Sequence, residues 1–235
     1  MSLTCSHQMK RAWNSLQHKC KLSAEHMGCV DMIIQEKTGK IPSFDRIAYL
    51  LKHPRPALRD IPGHRRAAVT LLLAETEAGC KILFIERATH PGDPWSGNIA
   101  FPGGKVEPDD RDARHAAERE TLEELAIDLS AAKYLGRLSD FDGAHLPVLL
   151  SCFVYGVPQS LRFEANEEVK DAFWVFAADL VDIDRHGTHQ FTFSGDRFES
   201  PCIRLPYEDK PVLWGLTYRL LMNFLQKTTS FTRGE

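Results

Sequence analysis

The sequence predicts an α/β fold, a mixed β-sheet covered by helices on both faces. Three observations lead there. Strand-like apolar runs and segments of helical period interleave, but without a regular βαβ rhythm. The chain has 235 residues, 43% of them apolar, enough for one sizeable core. No internal repeat is visible, and no apolar run approaches the roughly 18 residues of a membrane span. The most apolar stretch, Val148 to Val157, already contains Ser151 and Gly156. No membrane partner is expected. The formal charge of −3 disfavours a broadly basic nucleic-acid binder, so no nucleic-acid partner is expected either. Six dispersed cysteines without a CxxC pair suggest neither a disulfide scaffold nor a structural zinc site, and favour a reducing compartment.

Residues 1–60 read as an N-terminal helical extension and Pro-rich linker, residues 61–235 as the main domain. Residues 1–24 carry four basic residues and no acid, with Met9, Trp13, Leu16 and Cys20 on one helix face. Two readings fit: a short surface helix, or part of a mitochondrial transit peptide. No secretory h-region is visible, so the expected location is mitochondrial or cytoplasmic, not secreted. Residues 43–52 form a short helix capped by Ser43, with Phe44, Ile47, Leu50 and Leu51 as its apolar face. Pro54, Pro56 and Pro62 make the next stretch extended.

Ala67 to Ala74 and Lys81 to Glu86 are strands joined in a hairpin at Gly79. Arg87 to Asn98 is loop. Ile99 to Phe101 is a brief strand stopped by Pro102-Gly103-Gly104. Asp112 to Ala126 is helical. Leu146 to Val157 and Lys170 to Phe176 are strands, with a turn of helix over 177–183. Phe191 to Phe193 and Cys202 to Leu205 flank a turn at Gly195-Asp196, and Pro211 to Gln226 forms a closing helix.

The chemistry is concentrated in Arg119-Glu120-Thr121-Leu122-Glu123-Glu124-Leu125. Spacings of three and four place Glu120, Glu123 and Glu124 on roughly one side of a helix, with Ala117, Leu122 and Leu125 as an apolar stripe beside them. Clustered carboxylates repel unless they are solvated or bound by a hard cation. Upstream, Phe101-Pro102-Gly103-Gly104-Lys105 sets two glycines before that helix, where backbone amides could face an anion.

Gly104, Asp110 and Arg119 through Ile127 closely resemble the signature of the Nudix hydrolase family. Two departures stand out. Eight residues, not seven, separate Asp110 from Arg119, and Ala126 replaces the signature glycine, asking for a different helix termination. Arg87-Ala88, Gly97 to Gly104 and Trp214-Gly215-Leu216-Thr217 are similar to the coenzyme A pyrophosphatase-like branch, although Asp93 stands where that branch carries an arginine.

The resemblance implies a Nudix α/β/α sandwich over 61–235, holding Mg²⁺ or Mn²⁺. Its activity would be metal-dependent hydrolysis of the diphosphate in a nucleoside diphosphate conjugate. Coenzyme A or acyl-coenzyme A is the leading expectation. The alternatives are ADP-ribose, NADH or a dinucleoside polyphosphate, or a nucleotide-binding protein without turnover. Glu120 and Glu124 would bind metal, with Glu123 as a further ligand or a water-orienting base and the Gly104 carbonyl in the metal shell. Arg119 would hold an acid of the cluster, or equally form a structural salt bridge. Glu168, then Glu167, is the expected base, ahead of Glu164 and His145. Arg65, Arg66, Arg87, Trp95, Phe101, Gly103 and Gly104 are the expected substrate contacts. Trp214 and Cys152 are expected in the core. The partner is a small-molecule nucleotide diphosphate, and the protein a monomer or homodimer.

Overall fold

The structure, a computed structural model, describes residues 41–91, 95–143, 147–193 and 196–229. The expectations for residues 1–24, Asp93 and His145 lie outside them. In chain order the elements are α1 (Phe44–Lys52), β1 (Arg65–Thr76), β2 (Gly79–Arg87), β3 (Ile99–Ala100), β4 (Gly103–Lys105), α2 (Ala113–Leu125), β5 (Lys133–Arg137), β6 (Phe141–Asp142), β7 (Val148–Val157), β8 (Val169–Phe176), α3 (Ala177–Leu180), β9 (His186–Phe193), β10 (Asp196–Ile203), β11 (Leu213–Trp214) and α4 (Gly215–Thr229).

Among the described residues, eight strands make one sheet in the order β3-β2-β1-β7-β5, with β4 beside β1, β6 beside β7 and β8 beside β2. The pair β1–β7 is parallel and the others antiparallel, so the sheet is mixed as expected. A second, three-stranded sheet runs β11-β10-β9.

Alternation along β1 builds the two core layers. Ala68, Leu72 and Ala74 pack with Ala113, Ala116, Ala117 and Leu125 of α2. Leu71 and Leu73 pack on the other side with Leu221, Phe224 and Leu225 of α4. The alanines on the inner face of α2 leave little side chain between that helix and the sheet. A buried hydroxyl pair, Thr70 Oγ1 to Thr121 Oγ1 at 2.8 Å, joins the two elements at mid-height. The result is an α/β/α sandwich. No helix among the described residues is long and apolar enough to cross a membrane.

Helix α1 shares this core. Ile47, Leu50 and Leu51 are buried, and burying each contributes roughly 1.5–3 kcal/mol. Phe44 lies on Gly156, where a Cβ would come within 2.5 Å of its ring, so the missing side chain makes the seat. Ser43 holds the N-cap position, but its side chain makes no capping bond. The proline-rich stretch is pinned at its centre. Ala57 N–H donates to Ser139 Oγ, Arg59 N–H to Asp140 Oδ2 and Asp140 N–H to the Ala57 carbonyl.

Several boundaries differ from the sequence expectation. β9 and β10 are eight residues each, and Leu205 lies beyond them. The closing segment begins as the short strand β11, and its helix runs to Thr229. β5 and β6 were not anticipated, because Lys133–Arg137 shows no alternation, burying two adjacent residues at its centre.

Candidate active site

The two glycines lie in a strand, not in a turn. β4 pairs with β1 in the register Val69 with Gly103 and Ala68 with Gly104. Gly103 has φ 142°, and a Cβ there would strike the Ala68 carbonyl and lie 2.6 Å from Val69 Cα. A Cβ on Gly104 would lie 2.5 and 2.6 Å from the carboxylate oxygens of Glu120. The bare backbone at 104 is therefore what leaves room for that carboxylate. The Gly103 N–H, which the sequence offered to a ligand, donates to Glu124 Oε2 at 2.9 Å.

Helix α2 starts at Asp112, whose carboxylate accepts the His115 N–H at 2.9 Å. The three acids then part company. Glu124 is 2% exposed, and burial pushes its carboxyl up to about 8. The Gly103 N–H and the charge of Arg87 oppose that rise, whereas Glu120 and Glu168 add to it. Glu120 is half-buried and also raised, chiefly by burial. Arg119 works against this, and Glu123 and Glu168 reinforce it. Glu123 turns toward Arg119 Nη1 at 2.9 Å, with 54% of its side chain exposed. Glu123 shares Arg119 Nη1 with Glu120 and so stays beside it, while Glu124, about 100° further round the helix, turns into the core. Leu122 is 50% exposed, not part of the buried stripe.

Glu168 arrives from another segment by a specific route. The last carbonyls of α2 are capped by the loop after β7: Glu164 N–H donates to the Leu125 carbonyl and Asn166 N–H to that of Glu124, both at 2.9 Å. Asn166 Oδ1 then accepts the Glu168 N–H at 2.9 Å, and the Glu168 carbonyl accepts Ala88 N–H at 2.8 Å. The structure thus brings Glu168 to Glu120 and Glu124. Glu164 and Glu167 stay exposed on the same loop. Sequence reasoning missed Asn166; its signal is that an asparagine readily binds the backbone two residues on.

Arg119 does both things expected of it. It grips Asp110 through Nε and Nη2, each at 3.0 Å, and reaches Glu120 and Glu123 with Nη1. The grip of Arg119 holds the Asp110 carboxyl well below the usual range, and Asp110 in return raises the arginine. His115 Nδ1 also contacts Asp110 at 3.0 Å.

The other expected contacts divide. Arg87 is brought to the cluster, as its effect on Glu124 shows. Arg65 and Arg66 are exposed at the start of β1 and alternate to opposite sheet faces. Trp95 is 42% exposed in the turn before β3. Phe101 is a correction: it is 2% exposed, its ring centroid 5.1 Å from that of Phe84, so it belongs to the core and offers no face to a substrate. Cys152 is buried, as expected. Trp214 is only half-buried, and its Nε1 donates to Asn98 Oδ1 at 3.2 Å. Ala126 is a second correction. It ends α2 in the left-handed region itself, at φ 54° and ψ 29°, so the glycine's geometry is kept without the glycine.

Among the described residues, no three acids, histidines or cysteines already form a metal cage. Glu124 is engaged with Gly103 and Glu120 with Arg119. The donor chemistry nevertheless suits a hard divalent ion: carboxylates whose charges raise the proton affinity of Glu120 and Glu124, beside a glycine with no side chain.

A NUDIX domain model matches residues 63–194, more than half of the chain. The chain belongs to the Nudix family. Membership carries a divalent-metal-dependent hydrolysis of nucleotide diphosphates in general terms. Nudix relatives include the protein described as uncharacterized Nudix hydrolase NudL in Yersinia pestis (strain Pestoides F) and in Yersinia pseudotuberculosis (serotype O:1b). Each is 29% identical over 171 residues, covering 71% of this chain and 81% of its own. Among solved structures, a MutT/nudix family protein from Enterococcus faecalis has a TM-score of 0.48 at 17% identity, over 76% of this Nudix chain and 66% of its own.

Proposed function

We propose that this Nudix protein hydrolyses the diphosphate bond of a nucleoside diphosphate linked to a second moiety, using Mg²⁺ or Mn²⁺. The observation that carries the reading is geometric: buried Glu124 accepts the Gly103 N–H, and the Glu120 carboxylate fills the space a side chain on Gly104 would take. Carboxylates gathered there, with Glu168 adding to the raised proton affinity of both, suit a hard cation that would offset their repulsion. Glu120, Glu124 and Glu168 would hold the ion, with the Gly104 carbonyl as a further oxygen. Bound there, the ion would neutralise diphosphate charge and acidify an attacking water. Glu168, exposed and on a separate loop, would orient that water, and Arg87 would meet a phosphate oxygen. Glu123, which shares Arg119 Nη1 with Glu120, would serve as a further ligand or water-orienting group.

For the substrate we keep the broader class of ADP-ribose, NADH and dinucleoside polyphosphates ahead of coenzyme A. Asp93 stands where the coenzyme A branch carries an arginine. The test is a panel of these compounds with Mg²⁺ or Mn²⁺, read by product chromatography. The expected result is cleavage between the two phosphates of at least one, abolished by chelator. Full turnover in excess chelator, or no cleavage of any member, would overturn the proposal.

A further inference from the structure

The three-stranded sheet carries a second feature that the carboxylate chemistry does not use. Register and alternation put His189 and Phe191 of β9, Phe198 of β10 and Trp214 of β11 on one face. They form a continuous group: Phe191 to Trp214 at 4.6 Å between ring centroids, His189 to Trp214 at 4.8 Å and Phe191 to Phe198 at 5.6 Å. The opposite face is polar, with Thr188, Gln190, Thr192, Arg197 and Glu199 all exposed. A hairpin polar on one side and aromatic on the other is built to set that second side against something. Yet all four rings remain only half-buried.

The direction of this face is given by one bond, Trp214 Nε1 to Asn98 Oδ1 at 3.2 Å. Asn98 in turn accepts the Arg87 N–H through its carbonyl at 3.1 Å, and Arg87 acts on Glu124. Two consecutive contacts therefore lead from the aromatic group to Arg87, whose charge is felt at Glu124. β9 lies within residues 63–194 and β10, β11 and α4 beyond them, so this shelf straddles the end of the family match.

We infer that the face formed by His189, Phe191 and Trp214 seats the planar base of the substrate while its diphosphate lies at Glu120, Glu124 and Glu168. This rests on the diphosphatase reading above and adds where the nucleoside end goes. Stacking on aromatic side chains tolerates any base, so the shelf selects for a planar ring over an aliphatic group, not for one base over another.

The experiment uses the full chain and Phe191→Leu, which keeps an apolar residue of similar size, with a thermal melt to check that the variant is folded. AMP is titrated by calorimetry without metal, and kcat and KM are measured on the best panel substrate. The expected result is AMP binding about tenfold weaker in the variant, with KM raised about tenfold and kcat within about twofold. His189→Leu should show the same pattern more weakly. Unchanged AMP affinity in both folded variants overturns the inference. So does sedimentation showing that Phe191→Leu splits a dimer while AMP binding persists, since a second copy would then cover the face. Because the AMP titration needs no turnover, a wild-type protein that binds AMP through Phe191 but cleaves nothing defeats the diphosphatase reading and leaves the shelf standing.

Discussion

Two glutamates, Glu86 and Glu124, are equally buried, at 3% and 2% exposure, and live in opposite electrostatic worlds. Glu86 sits near the end of β2. Its two oxygens meet Lys170 Nζ at 2.5 Å and Lys210 Nζ at 3.1 Å. Burial works against the charge on Lys210, but bonds to Asp171, Glu86 and Asp209 prevail and raise its pKa. Glu124 has one backbone N–H, the more distant charge of Arg87 and two acids for company. Burial alone does not separate a structural acid from a functional one; the sign of the neighbours does. The two sites nearly touch in sequence, through Glu86 and Arg87, which alternate to opposite faces of the sheet.

The comparison is broken most severely at Glu124. Glu124→Gln should lower kcat by about a thousandfold, close to 4 kcal/mol of transition-state stabilisation. The metal-free protein should be no less stable for it at pH 8, because a like charge has been removed. Steady-state assay and thermal denaturation without metal check both halves. A variant that lost activity by unfolding would show Glu124 to be a structural acid like Glu86.

A second effect follows from the proton on Glu124. Its folded-state pKa of about 8 lies above the ordinary 4.5, so the folded protein holds this proton more tightly than the unfolded chain. The associated stability is complete below about pH 4.5 and is lost as pH rises toward about 8, a change of about 3 kcal/mol after allowing for relaxation around the charge. The metal-free melting temperature should fall across that window, Glu124→Gln should flatten the fall, and Mg²⁺ should restore more stability at pH 8 than at pH 6. A flat profile in the wild type, or an equal Mg²⁺ effect at both pH values, would count against this account.

Glu86→Gln is the mirror image. It removes the acid bridging Lys170 and Lys210, leaving the buried Lys210 with Asp171 and Asp209. The expected cost is about 2 kcal/mol of stability, below that of stripping a buried ion of all partners. With Glu124→Gln it gives a crossed pattern, one variant losing stability and the other activity, read from urea denaturation and kcat on the same preparations. If both lost the same property, the distinction drawn from neighbouring charge would fail.

The two acids also differed in how far the sequence disclosed them. Glu124 stands in a helix whose period and signature can be read along the chain, so it was singled out, although its burial and the bond from Gly103 were not foreseen. The partners of Glu86 lie 84 and 124 residues away, and no local pattern points to them. Glu168 falls between these cases. It was legible as a candidate, but what brings it to Glu124 is the capping of α2 by residues 164–166, a tertiary arrangement. Phe101 was misjudged for the complementary reason. Its position next to the glycines suggested the site, while its side chain follows Ile99 into the core.

The smallest expected effect isolates backbone strain from charge. Ala126 holds φ 54°, where a Cβ crowds the backbone, two residues beyond Glu124. Ala126→Gly relieves that crowding and should stabilise the protein by about 1 kcal/mol, a rise of about 2–4 °C in Tm for a chain of this size. The N–H of residue 126 would still donate to the Leu122 carbonyl, and the carbonyls of Glu124 and Leu125 would still accept from Asn166 and Glu164, so Glu168 should stay in place and kcat remain within about twofold. The unfavourable state of Glu124 would then be untouched, and its pH-dependent melting would keep its slope at a higher Tm. A fall in kcat on adding the glycine would mean that the stiff alanine end of α2 is itself what holds the 164–168 loop, and with it Glu168, against the other two acids.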